Sequence, residues 1–127
     1  MNILIVEDES YVAEMLRRAL EELGNECLLA FDATTAQEML DEHEVEALTL
    51  DLGMPGPSGL DWLEKLATTR PDLAARTLVI TGQTLDPDAA QRLAACGAGL
   101  LAKPFTLDHL EQAVRAQIDR PNQHLPN

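Results

Sequence analysis

The chain has 127 residues, enough for one globular domain with a real core but no room for a second catalytic domain. Acidic residues number 22 against 9 basic ones, a net charge of −13, so DNA and anionic membrane surfaces are repelled over most approaches. Only Tyr11, Phe31, Trp62 and Phe105 are aromatic, too few for recognition by base stacking, and Cys27 and Cys96 show neither a CxxC nor a Cys/His metal spacing, as expected of reduced buried thiols in a cytoplasmic protein.

The apolar run Asn2 to Val6 stops at Glu7-Asp8-Glu9, too early for a signal peptide or a spanning helix, and predicts a strand buried on both faces. Val12, Met15, Leu16, Ala19, Leu20 and Leu23 recur at helical spacing, and Gly24 sits where a C-cap glycine belongs. Cys27 to Ala30 predicts a second strand, Thr34 to His43 a second helix and Ala47 to Leu50 a third strand. Asp51 follows, then the loop Leu52-Gly53-Met54-Pro55-Gly56-Pro57, whose glycines and prolines preclude regular structure.

Ser58 caps a third helix carrying Leu60, Leu63 and Leu66. Thr77 to Thr81 is a fourth strand, and Asp86-Pro87 opens a fourth helix that runs to about Cys96 and is closed by Gly97. Gly99 to Ala102 is a fifth strand, and Thr106 caps a last helix with Leu107, Leu110, Val114 and Ile118 on its buried stripe, stopped by Pro121. Five strands alternating with five helices predict a flavodoxin-like (βα)5 fold: one doubly wound α/β domain over residues 1–120, with a parallel five-stranded sheet in the order 2-1-3-4-5. Residues 121–127 are read as a polar tail or linker stub.

In such a sheet, ligands bind beyond the carboxyl ends of the strands. Those ends carry Glu7-Asp8, Asp51, Thr81 and Lys103-Pro104. With neighbouring strands about 4.8 Å apart, they can share one small ion and one phosphoryl group. Three converging carboxylates repel, so without a cation at least one pKa should rise. Oxygen-only ligands favour Mg²⁺ over zinc, for which neither His nor Cys is placed, and His43, His109 and His124 share no metal-binding spacing. Lys103 adds a fixed charge and Thr81 a hydroxyl, both suited to the equatorial oxygens of a phosphoryl group, with Asp51 as the nucleophile.

Taken singly, each motif is commonplace: an aspartate after a strand usually caps a turn, and a lysine before proline is usually a surface residue. All four in order at matching strand ends are not. The set Glu7-Asp8, Asp51-Leu52-Gly53-Met54-Pro55-Gly56-Pro57-Ser58-Gly59, Thr81-Gly82 and Lys103-Pro104-Phe105 resembles the receiver domain of bacterial response regulators, over residues 2 to about 119.

The resemblance implies that Asp51 accepts a phosphoryl group from a histidine kinase or histidine phosphotransfer protein. It further implies that Asp8, Asp51 and the backbone carbonyl of Gly53 bind Mg²⁺, with Glu7 acting mainly through water. Lys103 would contact the phosphoryl oxygens, Thr81 would swing towards the new phosphate, and the Lys103-Pro104 bond would be cis. The expected output is a switched protein-interaction surface for a downstream effector, in a cytoplasmic protein with no direct nucleic-acid or membrane binding. Homodimerisation through the face between the fourth and fifth helices is left open. Gly53 and Gln83 occupy the positions that in the family tune the lifetime of the phosphorylated state.

One residue departs from the pattern. The family often carries Tyr or Phe three residues before the lysine, whereas Leu100 stands here, which puts the usual aromatic readout in question and leaves the chemistry at Asp51 untouched. Three alternatives are weighed against this reading. A phosphatase of the haloacid dehalogenase kind needs a second Asp two residues after the nucleophile, where Gly53 stands. A receiver that signals by contact alone is opposed by the complete acceptor set and kept open by Leu100. Flavin or nucleotide binding lacks both GxGxxG and GxxxxGK[ST].

Overall fold

A computed structural model of the chain describes residues 1–54, 56 and 58–119. Along the chain run β1 (Asn2–Val6), α1 (Ser10–Glu22), β2 (Glu26–Ala30), α2 (Ala33–Glu42), β3 (Ala47–Leu50), α3 (Gly59–Thr69), α4 (Pro71–Ala74), β4 (Thr77–Thr81), α5 (Pro87–Ala95), β5 (Gly99–Ala102) and α6 (Leu107–Gln117). The five strands form one sheet, all pairs parallel, in the order β2-β1-β3-β4-β5.

Side chains alternate between the two faces of each strand. Leu4, Val6, Leu48, Leu50 and Val79 pack with α2, α3, α4 and α5, while Ile3, Ile5, Ala47, Leu78 and Ile80 pack with α1 and α6. The central strands are buried on both faces, which is why they read as unbroken apolar runs.

Helix starts follow from local chemistry. Asp32, Ser58, Asp86 and Thr106 each accept a hydrogen bond from the backbone N–H three residues on. Gly24 and Gly97 take positive φ values of 95° and 81° where α1 and α5 end, a conformation that would strain a residue with a Cβ. α4 is an addition to the five helices expected. Pro71 opens it, the Arg70 guanidinium pairs with Asp72, and Leu73 and Ala74 bury their side chains, yet four residues are too few to show a period.

Cys96 is buried but Cys27 is only half-buried, because β2 is an edge strand, and both thiols are free. Leu107, expected on the buried stripe of the last helix, is 65% exposed, because it stands in the first turn of α6, ahead of the Leu110, Val114 and Ile118 that meet the sheet. Pro121, expected to stop that helix, lies outside the described residues, as does His124; His43 and His109 are exposed. Trp62 is half-buried, its Nε1 donating to Gln37 Oε1 at 3.0 Å. Among the described residues, no helix is long and apolar enough to cross a membrane.

Thr49 pairs with Ile5 and Leu78 in the sheet and turns its hydroxyl into the layer under α1 and α6. Among the described residues its Oγ1 is a buried polar atom without a hydrogen-bond partner. Replacing that hydroxyl by a methyl group removes an uncompensated desolvation cost. Thr49→Val is therefore expected to raise stability by about 0.5–1.5 kcal/mol in urea unfolding. A loss of stability would mean that the hydroxyl has a partner, such as bound water.

Candidate functional site

Backbone hydrogen bonds carry the sheet one residue past its strands. Glu7 N–H donates to the Ala30 carbonyl (2.9 Å), Asp51 N–H to that of Val6 (3.0 Å) and Lys103 N–H to that of Thr81 (2.9 Å). Residues with chemistry are thereby fixed to the rigid sheet edge, not left on free loops.

At this edge Glu7, Asp8 and Asp51 each place a carboxylate oxygen within 4.8 Å of the others. Lys103 Nζ lies 2.7 Å from Glu7 Oε1 and 3.3 Å from Asp51 Oδ2. Gly53 N–H donates to Asp51 Oδ1 at 2.9 Å, which orients the carboxylate. Glu9 N–H donates to Glu7 Oε2 at 3.3 Å. Thr81 is buried at the end of β4, and its Oγ1 accepts from Gln83 N–H at 3.2 Å, pinning the start of the following loop. The Lys103-Pro104 bond is cis.

Glu7, Asp8, Asp51, Gly53, Thr81 and Lys103 thus lie at one end of the sheet. Their degrees of burial differ. Glu7, assigned the indirect part, is 1% exposed, whereas Asp8 is exposed. The tight Glu7–Lys103 pair joins residues 96 apart in sequence and has no sequence signature. Gln83 is a further neighbour: a Cβ on Gly53 would meet Asp51 Oδ1 at 3.4 Å and Gln83 Nε2 at 3.7 Å, so the glycine leaves the space between them open.

Electrostatics follow from this packing. Burial pushes the Glu7 carboxyl up from 4.5 to about 7, Lys103 pulls it down and Asp51 adds to the rise. Burial pulls the Lys103 ammonium down, but Glu7 and Asp51 more than offset this and its pKa ends above its ordinary value. A rise does fall on Glu7, the most deeply buried of the three, but burial contributes more to it than the repulsion from Asp51 that converging carboxylates lead one to expect.

That shift has a consequence for stability. Between pH 4.5 and about 7 the folded state keeps a proton that the unfolded chain gives up. The associated stability is therefore full below pH 4.5 and is lost as pH rises through 7. In metal-free protein, urea stability relative to Glu7→Gln should fall by about 1–3 kcal/mol from pH 4.5 to 7.5. A difference that does not vary with pH would remove Glu7 as the group holding the proton.

The donor set suits a hard cation. Three carboxylates converge on one point with no nitrogen or sulfur ligand among them, and the backbone carbonyl of Gly53 is a further oxygen in the same loop.

Comparisons with known proteins bear on the fold and the family. The sequence pattern described as the response regulator receiver domain matches residues 3–115. Response regulator MprA of Mycobacterium avium (strain 104) is 37% identical over 123 residues, which cover 94% of this chain and 52% of that protein. The chain therefore spans about half the length of the curated relatives it matches.

Among solved structures, a response regulator receiver domain protein from Clostridium thermocellum superposes with a TM-score of 0.79 at 30% identity, covering 93% of this chain and 94% of that one. A response regulator protein from Burkholderia pseudomallei, solved with a phosphorylated aspartic acid, calcium ion and citrate, gives 0.77 at 30% identity, covering 89% and 65%. With its sheet order and its set of strand-end residues, this chain belongs to the family of response regulator receiver domains of two-component systems.

Proposed function

We propose that the chain is a phosphoacceptor receiver, which takes a phosphoryl group onto Asp51 from a histidine kinase or histidine phosphotransfer protein and thereby switches a protein-interaction surface. The observation that carries this reading is the position of Asp51: 6% exposed at the end of the central strand, beside Lys103 Nζ and within reach of two further carboxylates.

In the transfer, an Asp51 carboxylate oxygen forms a bond to phosphorus as the bond to the donor's imidazole nitrogen breaks; that nitrogen keeps the electron pair, and because the donor ring is protonated at its other nitrogen it leaves as neutral imidazole, with an acyl phosphate on Asp51. Glu7, Asp8, Asp51 and the Gly53 carbonyl are the residues assigned to hold Mg²⁺, which when bound neutralises the carboxylates and the charge on the phosphoryl oxygens. Lys103 supplies a second positive charge to those oxygens without moving far from its place between Glu7 and Asp51. Thr81 exchanges its hydrogen bond from Gln83 for one donated to the phosphoryl group, drawing the loop after β4 towards the site.

The chain catalyses only its own phosphorylation and dephosphorylation. The face formed by α5, β5 and α6, where Leu100 is 51% exposed, is assigned to a downstream effector or a second copy. The charge of −13 repels nucleic acid and anionic membranes over most approaches and so disfavours them as direct ligands, and partnership with a kinase of this kind implies a cytoplasmic protein. Residues 1–120 are taken as the receiver unit, supported by the family match over 3–115 and by the end of α6 at Gln117. The tail 121–127 lies outside the described residues.

The test is incubation with Mg²⁺ and acetyl phosphate or phosphoramidate, donors that need no kinase, followed by intact mass. A single phosphoryl adduct that requires Mg²⁺ is expected. No adduct, with Mg²⁺ binding confirmed separately, would favour a module that signals without phosphate.

A further inference from the structure

The helix that opens the assigned output face is weakly held by apolar packing. α5 buries one side chain along its length, Leu93, with Cys96 just past its end, whereas α1 buries Ala13, Leu16 and Leu20. Leu100 on β5 is half exposed.

An ionic contact supplements that packing. Arg92, on α5, reaches across to α3, where Asp61 and Glu64 stand three residues apart and so share a face. Its Nε donates to Glu64 Oε2 at 3.0 Å, and its Nη2 donates to Glu64 Oε1 at 2.5 Å and to Asp61 Oδ1 at 2.6 Å. The guanidinium thus grips one carboxylate with both arms of its fork and a second with one of them, a geometry a lysine cannot reproduce.

The two helices so joined follow the two loops of the site. α3 begins at Gly59, where a Cβ would lie 3.6 Å from the Asp51 carbonyl oxygen and 3.3 Å from the Leu52 side chain. α5 begins after the loop whose start is pinned by the Thr81 hydroxyl. A closed mechanical path therefore runs from Asp51 through α3 and Arg92 to α5, and back through the loop to Thr81.

We infer that Arg92 is a latch: paired with Asp61 and Glu64, it restrains α5 in the position belonging to the unmodified Asp51, and release of that restraint is a step by which a change at Asp51 reaches the α5–β5–α6 face. The inference rests on the phosphoacceptor reading for the change at Asp51. The restraint itself exists without it. In this chain the latch provides a coupling route that does not need a ring at position 100.

Hydrogen exchange read by mass spectrometry tests both parts on the full chain, with Mg²⁺ alone and with Mg²⁺ plus beryllofluoride, a mimic of the phosphoryl group. Arg92→Gln should speed exchange of α5 amides about three- to ten-fold in Mg²⁺ alone, the scale of a small ion-pair network on a locally opening helix. It should also shrink the α5 difference between the two conditions, while protection around residues 51–54 and acetyl phosphate adduct formation persist. The swap Arg92→Glu with Glu64→Arg should restore slow exchange, which a merely damaged helix would not show.

An adduct on the parent chain with α5 exchange and response unchanged by Arg92→Gln overturns the latch. Failure of the swap to restore slow exchange overturns it as well. No adduct and no beryllofluoride response on the parent chain overturns the phosphoacceptor reading and the coupling with it, and the α5 rates in Mg²⁺ alone still decide whether the restraint exists.

Discussion

Asp51→Asn is expected to abolish phosphoryl uptake from acetyl phosphate under conditions that load the parent chain, because a carboxamide oxygen is a poor nucleophile and the other carboxylates are assigned to the cation. The same substitution should stabilise the metal-free protein. Asp51 raises the pKa of buried Glu7 through both hydrogen bonding and charge, so its loss lets Glu7 ionise at lower pH beside Lys103. The carboxamide keeps an oxygen to accept the Gly53 N–H bond, now 2.9 Å long, and its amino group gives up only the longer, 3.3 Å contact with Lys103, whose ammonium keeps Glu7 Oε1 at 2.7 Å. A gain of about 1 kcal/mol in urea unfolding at pH 7.5 is expected, the scale of a pKa change of roughly one unit. Intact mass and urea titration read the two effects separately. Uptake retained in Asp51→Asn would sink the site assignment. Uptake lost together with stability would show that the native carboxylate is held by favourable contacts outweighing its repulsion with Glu7.

The central strands were legible because burial on both faces writes a plain signal: β1, β3 and β4 run as the sequence predicts. β5, an edge strand whose residues are half-buried or exposed, was legible instead as a short apolar segment between Gly97 and Lys103. Helix boundaries were legible where a capping side chain exists, at Ser58, Asp86 and Thr106. At α1 no side chain caps the N-terminus, and the helix begins at Ser10, earlier than the apolar stripe alone would place it. α4 escaped notice because its evidence is two buried side chains after a proline, which a loop could equally carry.

The candidate site was legible through topology: a parallel sheet of this order brings the ends of β1, β3, β4 and β5 to one edge, whatever fills the loops. Its internal pairing was not. Which carboxylate Lys103 prefers depends on side-chain reach and on burial beyond the strand end, where Glu7 turns inward and Asp8 outward. The Arg92 contacts were equally silent, since Arg92 and Glu64 lie 28 residues apart on different helices and each alone reads as a solvated surface charge.

Lys103→Ala is the second large effect, and its two consequences have one cause. The ammonium neutralises Glu7, which is 1% exposed, and Asp51, whose side chain is 8% exposed, and the short alanine leaves both carboxylates facing each other across the vacated space. Loss of one partner from a buried pair typically costs about 3–5 kcal/mol when the remaining charge cannot escape. Glu7 can escape by keeping its proton. With Lys103 gone, the influence that lowers its pKa is removed, so its rise should extend beyond about 7. The stability loss should therefore be smallest in mildly acid solution and grow with pH, to about 2–4 kcal/mol at pH 8 in metal-free protein. Mg²⁺ should recover part of it by supplying positive charge to the same oxygens. Phosphoryl uptake should slow without vanishing, since the cation remains while the second charge on the phosphoryl oxygens is lost. Urea titrations at pH 5.5 and 8, with and without Mg²⁺, separate these effects. A loss equal at both pH values and unaffected by Mg²⁺ would assign Lys103 to packing, and the charge balance drawn around Glu7 and Asp51 would then fall.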